Sequence, residues 1–225
     1  MFPIGDENAP GRGTAVMTLL LLALNVLVFV YQMTLGTEAL QDFVTTYGVI
    51  PREIENGEDL YTLITSMFVH GGFAHILGNM LFLWVFGDNI EHRFGSTIFV
   101  LFYLVSGLAA TFAHIATNSG SPIPSVGASG ALSGVLGAYI LLYPTNRVRV
   151  LIGYFVTSVP AVVFLGVWFI TQFINGVAAL NVETAQTSGV AYWAHIGGFV
   201  AGVVLGLILR GMTTEEDRQR RAARY

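Results

Sequence analysis

The chain has 225 residues, of which 54% are hydrophobic and 11% charged, whereas a soluble domain carries about 25% charged residues. That balance excludes an ordinary soluble domain and points to a lipid bilayer. The net charge of −4 gives no basis for nucleic-acid binding, and the absence of cysteine excludes a disulfide framework, a thiolate nucleophile and a cysteine-ligated metal.

In chain order, residues 1–13 form a short polar lead, read as a cytoplasmic segment. A helix needs about 20 apolar residues to span a bilayer, and the first such run covers 14–35. It is too long for a cleaved leader, follows no basic cluster and has no small-residue cleavage site. The loop after it is acidic, with Glu38, Asp42, Glu53, Glu55, Glu58 and Asp59. The second span starts near Gly72 and runs through 81–86, and the third covers 97–116. The fourth, 129–143, is short and stops at Pro144. The fifth covers about 150–174 and the sixth about 192–209. A basic tail, 211–225, closes the chain. With no internal repeat and no low-complexity stretch, 14–210 reads as one all-α, six-span bundle.

Arginine placement supports the count. All ten basic residues are Arg. With both termini in the cytoplasm, inside segments hold Arg12, Arg93, Arg147, Arg149, Arg210, Arg218, Arg220, Arg221 and Arg224, and outside segments hold only Arg52. That is the asymmetry of a positive-inside topology.

Ionisable or strongly polar groups inside a bilayer are rare and mark function by default. The candidates are His75, Asn79, His114, Ser129, Ser133 and His195. No Asp or Glu lies in an apolar core, which argues against a carboxylate-coupled transporter and against a Ser-His-Asp triad. Ser129 lies fifteen residues before Pro144, His195 fifteen before Arg210 and Asn79 fourteen before Arg93. At a rise of ~1.5 Å per residue all three sit ~21–23 Å from the inner face, at one level on three helices. Gly198, Gly202 and Gly206 share a face with His195, and Ser133 and Gly137 share one with Ser129. Small-residue stripes let membrane helices approach closely.

Ser129 follows a Pro-, Ser- and Gly-rich loop in Gly127-Ala128-Ser129-Gly130, so it stands at a helix N-terminus. Unpaired N–H groups there can hold an oxyanion. A serine in that place can equally be a simple helix cap, and the local sequence by itself favours the cap. As a nucleophile it needs an adjacent base, and His195 is the histidine on another late span at matching depth. On its own, His195 fits a hydrogen-bonded packing residue equally well.

The combination of His70, His75 and Asn79, then Gly127-Ala128-Ser129-Gly130, then Ala194-His195-Ile196-Gly197-Gly198 with Gly202, resembles the rhomboid family of intramembrane serine proteases. Glu91-His92-Arg93-Phe94-Gly95 resembles that family's ExRxG segment, and the likeness runs from about Tyr47 to Leu209. The resemblance implies Ser129 as nucleophile and His195 as general base. It implies His75 and Asn79 beside the oxyanion hole, Gly127 next to it, and His70 as a structural histidine. Two positions depart from the pattern. Ser133 stands where some members carry a tyrosine packed on the catalytic histidine, and Pro51-Arg52 is all that matches the Trp-Arg pair of some bacterial first loops.

The expected substrate is a transmembrane protein, cleaved near the outer end of its helix, with no cofactor and no metal. His70, His75 and His195 suit a metal by residue type, but no HExxH motif is present. An inactive relative that binds membrane clients is the alternative. A solute transporter is a third reading, against which spans one and five look uniformly apolar. The bare six-span layout suggests a prokaryotic inner membrane.

Overall fold

The structure is a computed structural model that describes residues 2–7, 13–179 and 191–211. Arg12, Arg218, Arg220, Arg221 and Arg224, and the tail beyond residue 211, lie outside the described residues.

Six apolar helices form the body: α1 (Val16–Met33), α5 (Phe73–Phe94), α6 (Ser96–Thr117), α7 (Ser129–Leu142), α8 (Ala161–Ala179) and α9 (Tyr192–Leu209). Four of them, α1, α6, α8 and α9, are long and apolar enough to cross a membrane unaided. α5 reaches that standard together with the segment Thr62–Phe68, which joins it at a 93° bend, and α7 is a shorter apolar helix. Between α1 and α5 the acidic loop folds into α2 (Thr37–Tyr47), α3 (Pro51–Glu55) and α4 (Thr62–Thr65), the last running into a 3-10 turn, Ser66–Phe68.

The ends of the spans are tied in a way that fixes their directions. Glu91, almost fully buried near the C-terminus of α5, accepts hydrogen bonds from the N–H groups of Met17 and Thr18 (2.9 and 2.7 Å), the Thr18 hydroxyl (2.8 Å) and the Ser96 hydroxyl (2.6 Å). The carboxylate thus caps α1, whose first N–H groups have no partner within the helix, and adds a negative charge at the positive end of its dipole. Arg93 donates to the carbonyl of Arg210 at the end of α9 (2.8 Å), and Gly95, at φ +82°, makes the turn into α6. Arg93, Arg147, Arg149 and Arg210 therefore gather at one end of the bundle. At the other end Gln32 of α1 clamps the backbone of His70, donating to its carbonyl (2.9 Å) and accepting from its N–H (3.1 Å).

Two differences from the sequence reading concern the fifth span. It begins at Ala161 rather than near residue 150, because residues 147–160 form a β-hairpin, β2 (Arg147–Ile152) and β3 (Phe155–Pro160). With β1 (Phe2–Gly5) they make a three-stranded antiparallel sheet in the order β1-β2-β3, which the all-α expectation did not include. Asp6, just after β1, accepts from Tyr139 and from Asn89 (2.7 Å), pinning the sheet to α7 and α5. The second difference is polarity. Span five carries Gln172, and span one carries the buried Asn25 and Gln32, so neither is uniformly apolar.

The tightest packing lies between α7 and α9. A Cβ on Gly198 or Gly202 would overlap the carbonyl oxygens of Gly130 and Gly134, and one on Gly137 would overlap the backbone of Phe199. The two helices meet backbone to backbone, as small-residue stripes allow.

Candidate active site

The loop that delivers Ser129 is braced from the loop between α1 and α5. Val49 and Ser125 exchange backbone hydrogen bonds (3.0 and 2.8 Å), Arg52 N–H donates to Ser121 O (3.1 Å), and Gly127 N–H donates to Ser66 O (2.8 Å). Glu55 accepts from the N–H of Gly120 (2.9 Å). Helix α7 starts at Ser129 itself, so the N–H of Ser129 is among the first N–H groups of that helix, which have no partner within it.

Next to the Gly130–Gly198 contact, the Ser129 hydroxyl and Nε2 of His195, the histidine one turn before Gly198, are 2.8 Å apart. The other ring nitrogen, Nδ1, lies 2.7 Å from the amide oxygen of Gln172 on α8. A carbonyl oxygen only accepts, so Nδ1 carries the proton and Nε2 accepts from the serine O–H. A serine hydroxyl held this way can pass its proton to the imidazole as the oxygen attacks an electrophile.

Asn79 and His75, one turn apart on α5, reach the same place. His70 donates from Nδ1 to Phe68 O (3.3 Å), which leaves Nε2 to accept from the Asn79 amide (2.9 Å). His75 accepts at Nδ1 from the N–H of Gly71 (3.3 Å), so its own proton is on Nε2. That nitrogen faces Gly127, whose φ is +129°. A Cβ built on Gly127 would stand 2.6 Å from His75 Nε2 and 3.7 Å from Asn79 Nδ2. The backbone angle and the lack of space both demand glycine there.

Ser133 makes no hydrogen bond to the His195 ring. It is buried and donates back to the Ser129 carbonyl (2.6 Å). The ring is covered instead by Trp168 of α8, with centroids 5.9 Å apart and planes tilted by 34°. Trp193 of α9 donates its indole N–H to Gly176 O (3.2 Å) and so ties the two helices again.

A cavity of about 680 Å³ opens over these groups, with His75, Asn79, Ser129, Ser133, Trp168 and His195 on its wall. Its described wall holds no carboxylate. No group of three or more His, Cys, Asp or Glu able to hold a metal comes together among the described residues. The cavity thus unites the groups that span arithmetic put at one depth. His114, a candidate by its place in an apolar span, also lines it, and His92 lies outside it, held between Asp88 O (2.6 Å) and Gly13 O (2.8 Å). Sequence reasoning missed Gln172 and Trp168, although a glutamine within an apolar run is itself a signal.

Residues 57–212 match the family model of the Rhomboid domain. The chain is similar to the rhomboid protease GluP of Bacillus subtilis (strain 168), 30% identical over 196 residues, which cover 87% of this chain and 36% of that protein. It is similar to RHOMBOID-like protein 5 of Arabidopsis thaliana, 32% identical over 162 residues, covering 72% of this chain and 48% of the relative. It is also similar to the mitochondrial Rhomboid protein 1 of Saccharomyces cerevisiae, 34% identical over 165 residues, covering 71% and 44%. The chain thus spans between about a third and a half of the length of these relatives.

Proposed function

The chain belongs to the rhomboid family, and on that premise we propose that it is an intramembrane serine endopeptidase working through a Ser129–His195 dyad. The observation that carries this reading is the 2.8 Å contact between the Ser129 hydroxyl and His195 Nε2, at the wall of a cavity whose described lining holds no carboxylate.

His195 takes the hydroxyl proton at Nε2 while Ser129 Oγ attacks the carbonyl carbon of a peptide bond. The resulting oxyanion is met by the N–H of Ser129 at the α7 N-terminus, by the Asn79 amide and by His75 Nε2–H. Such donors act because they are already oriented when charge develops. His195 then gives its proton to the leaving amine, and water entering the cavity releases the acyl group by the reverse sequence of proton transfers. A peptide bond in a helix is shielded by its own hydrogen-bonded turn, so the substrate's helix has to unwind locally to enter. The substrate class is therefore transmembrane proteins, cut near the outer end of the helix.

The chain is an integral membrane protein in a lipid bilayer. We place both termini in the cytoplasm of a prokaryotic cell, with residues 14–210 as the protease domain between a short lead and the basic tail 211–225. The family also includes client-binding members without activity, but here hydroxyl and imidazole are both present and in contact. A fluorophosphonate probe separates the two readings. It labels the wild type and not Ser129→Ala if the serine is activated; equal failure to label both would favour the client-binding reading.

A further inference from the structure

Gln172 is half-buried in the middle of α8, the helix that gives Trp168 to one face of the His195 ring. Its amide oxygen lies 2.7 Å from Nδ1, on the side of the ring opposite the Ser129 contact. An imidazole presents one donor and one acceptor when neutral, and the partner of one nitrogen decides which is which. If the proton sat on Nε2, that nitrogen would donate toward Ser129 and could not take the hydroxyl proton. Resting on the protease reading, we propose that Gln172 is a positioning residue. Its carbonyl oxygen accepts the Nδ1 proton of His195 and so keeps the Nε2 lone pair directed at Ser129.

The residue type suits the setting. In the triads of soluble serine proteases a buried carboxylate does this work, but a carboxylate inside a bilayer is costly unless paired. No acidic side chain lines the described wall of the cavity. A neutral amide offers the same acceptor oxygen without a charge. Its position also follows from the helix. Trp168 and Gln172 are one turn apart, so they present to one face and can hold the ring from its plane and from its edge together.

The test uses full-length protein in detergent micelles, labelled with ring-15N histidine, with His195 assigned by loss of its signals in His195→Ala. The wild-type ring is expected with its proton on Nδ1. In Gln172→Met, which keeps the volume and removes the acceptor, the proton is expected to redistribute to Nε2. With a reporter transmembrane substrate, kcat of Gln172→Met is expected to fall by about tenfold or more with KM little changed. That is well short of the ~10⁴ lost when the carboxylate orienter of a full triad is disabled. Gln172→Glu restores an acceptor oxygen and is expected to recover most of the rate. Gln172→Leu replaces Gln172→Met if that variant fails to fold by thermal melting. A wild-type ring protonated on Nε2, a Met or Leu variant that keeps the wild-type tautomer, or an unchanged kcat would each overturn the proposal. The ring spectrum can be read in a protein that cleaves nothing, so failure of the protease reading shows separately, as a wild type without Ser129-dependent cleavage.

Discussion

At the residue scale, the site depends on hydrogen-bond direction as much as on distance. Phe68 O takes the Nδ1 proton of His70, so His70 accepts from Asn79, and Gly71 N–H occupies His75 Nδ1, so the His75 proton is aimed at Gly127. Removing one oxyanion donor costs about 10²–10³ in rate, and Asn79→Ala is expected to fall in kcat by that factor while remaining measurable above Ser129→Ala. Single-turnover kinetics with saturating substrate would check this, and an unimpaired Asn79→Ala would remove that residue from the oxyanion site. Gly127→Ala should do more harm than its one methyl group suggests. Its φ of +129° is unfavourable for alanine, and the new Cβ would collide with His75. Loss of probe labelling in a variant that still folds is the expected outcome.

Much of this was legible in the sequence. Ser129, His195, Asn79 and His75 line the cavity, and Gly127 packs against His75. The depth of a residue along a spanning helix is set by a constant rise, so counting residues located three of them. The orientation of the imidazole was not legible, because it depends on which face of α8 turns toward α9, and that is a packing outcome. Ser133 shows the same limit. Its spacing from Ser129 was plain, but its bond back to the Ser129 carbonyl and the replacement of a tyrosine by Trp168 from another helix were not.

At the element scale, α7 and α9 hold the serine and histidine in register because nothing larger than hydrogen stands between their backbones. Gly198→Val would push Gly130 and its neighbour Ser129 away from His195. Overpacking typically costs about 1–3 kcal/mol, and here the obstruction is backbone, so a lower melting temperature and loss of activity are expected together. Thermal melting in detergent would check the first. A variant with wild-type melting and activity would mean that the close approach is dispensable. Glu91→Ala is expected to destabilise without touching the site, since it strands the Met17 and Thr18 N–H groups and the Ser96 hydroxyl. Each buried polar group left unpaired costs about 1–3 kcal/mol. The β-hairpin is the element the sequence reading misassigned. Its signal is present in Arg147-Val148-Arg149-Val150, where both valines are fully buried and the arginines are exposed. That is a period of two. Between there and α8 only Thr157 and Ser158 are polar side chains, so counting hydropathy alone merged strand and helix.

At the scale of the whole molecule, the ties among Glu91, Arg93, Arg210 and Asp6 gather the helix ends bearing arginine, while Ser129 begins α7 near the opposite end. The cavity lies on the side of the acidic loop between α1 and α5, whose Val49, Arg52 and Glu55 brace the segment that leads to Ser129. The molecule combines a rigid α7–α9 pair with α8, which reaches the pair through Gln172, Trp168 and Gly176. Purified protein in liposomes with a reporter transmembrane substrate tests the central claim most directly. The account predicts cleavage within the outer part of the reporter helix by the wild type, and none by Ser129→Ala or His195→Ala. Cleavage that persists in Ser129→Ala, or that is abolished by a metal chelator, would contradict it.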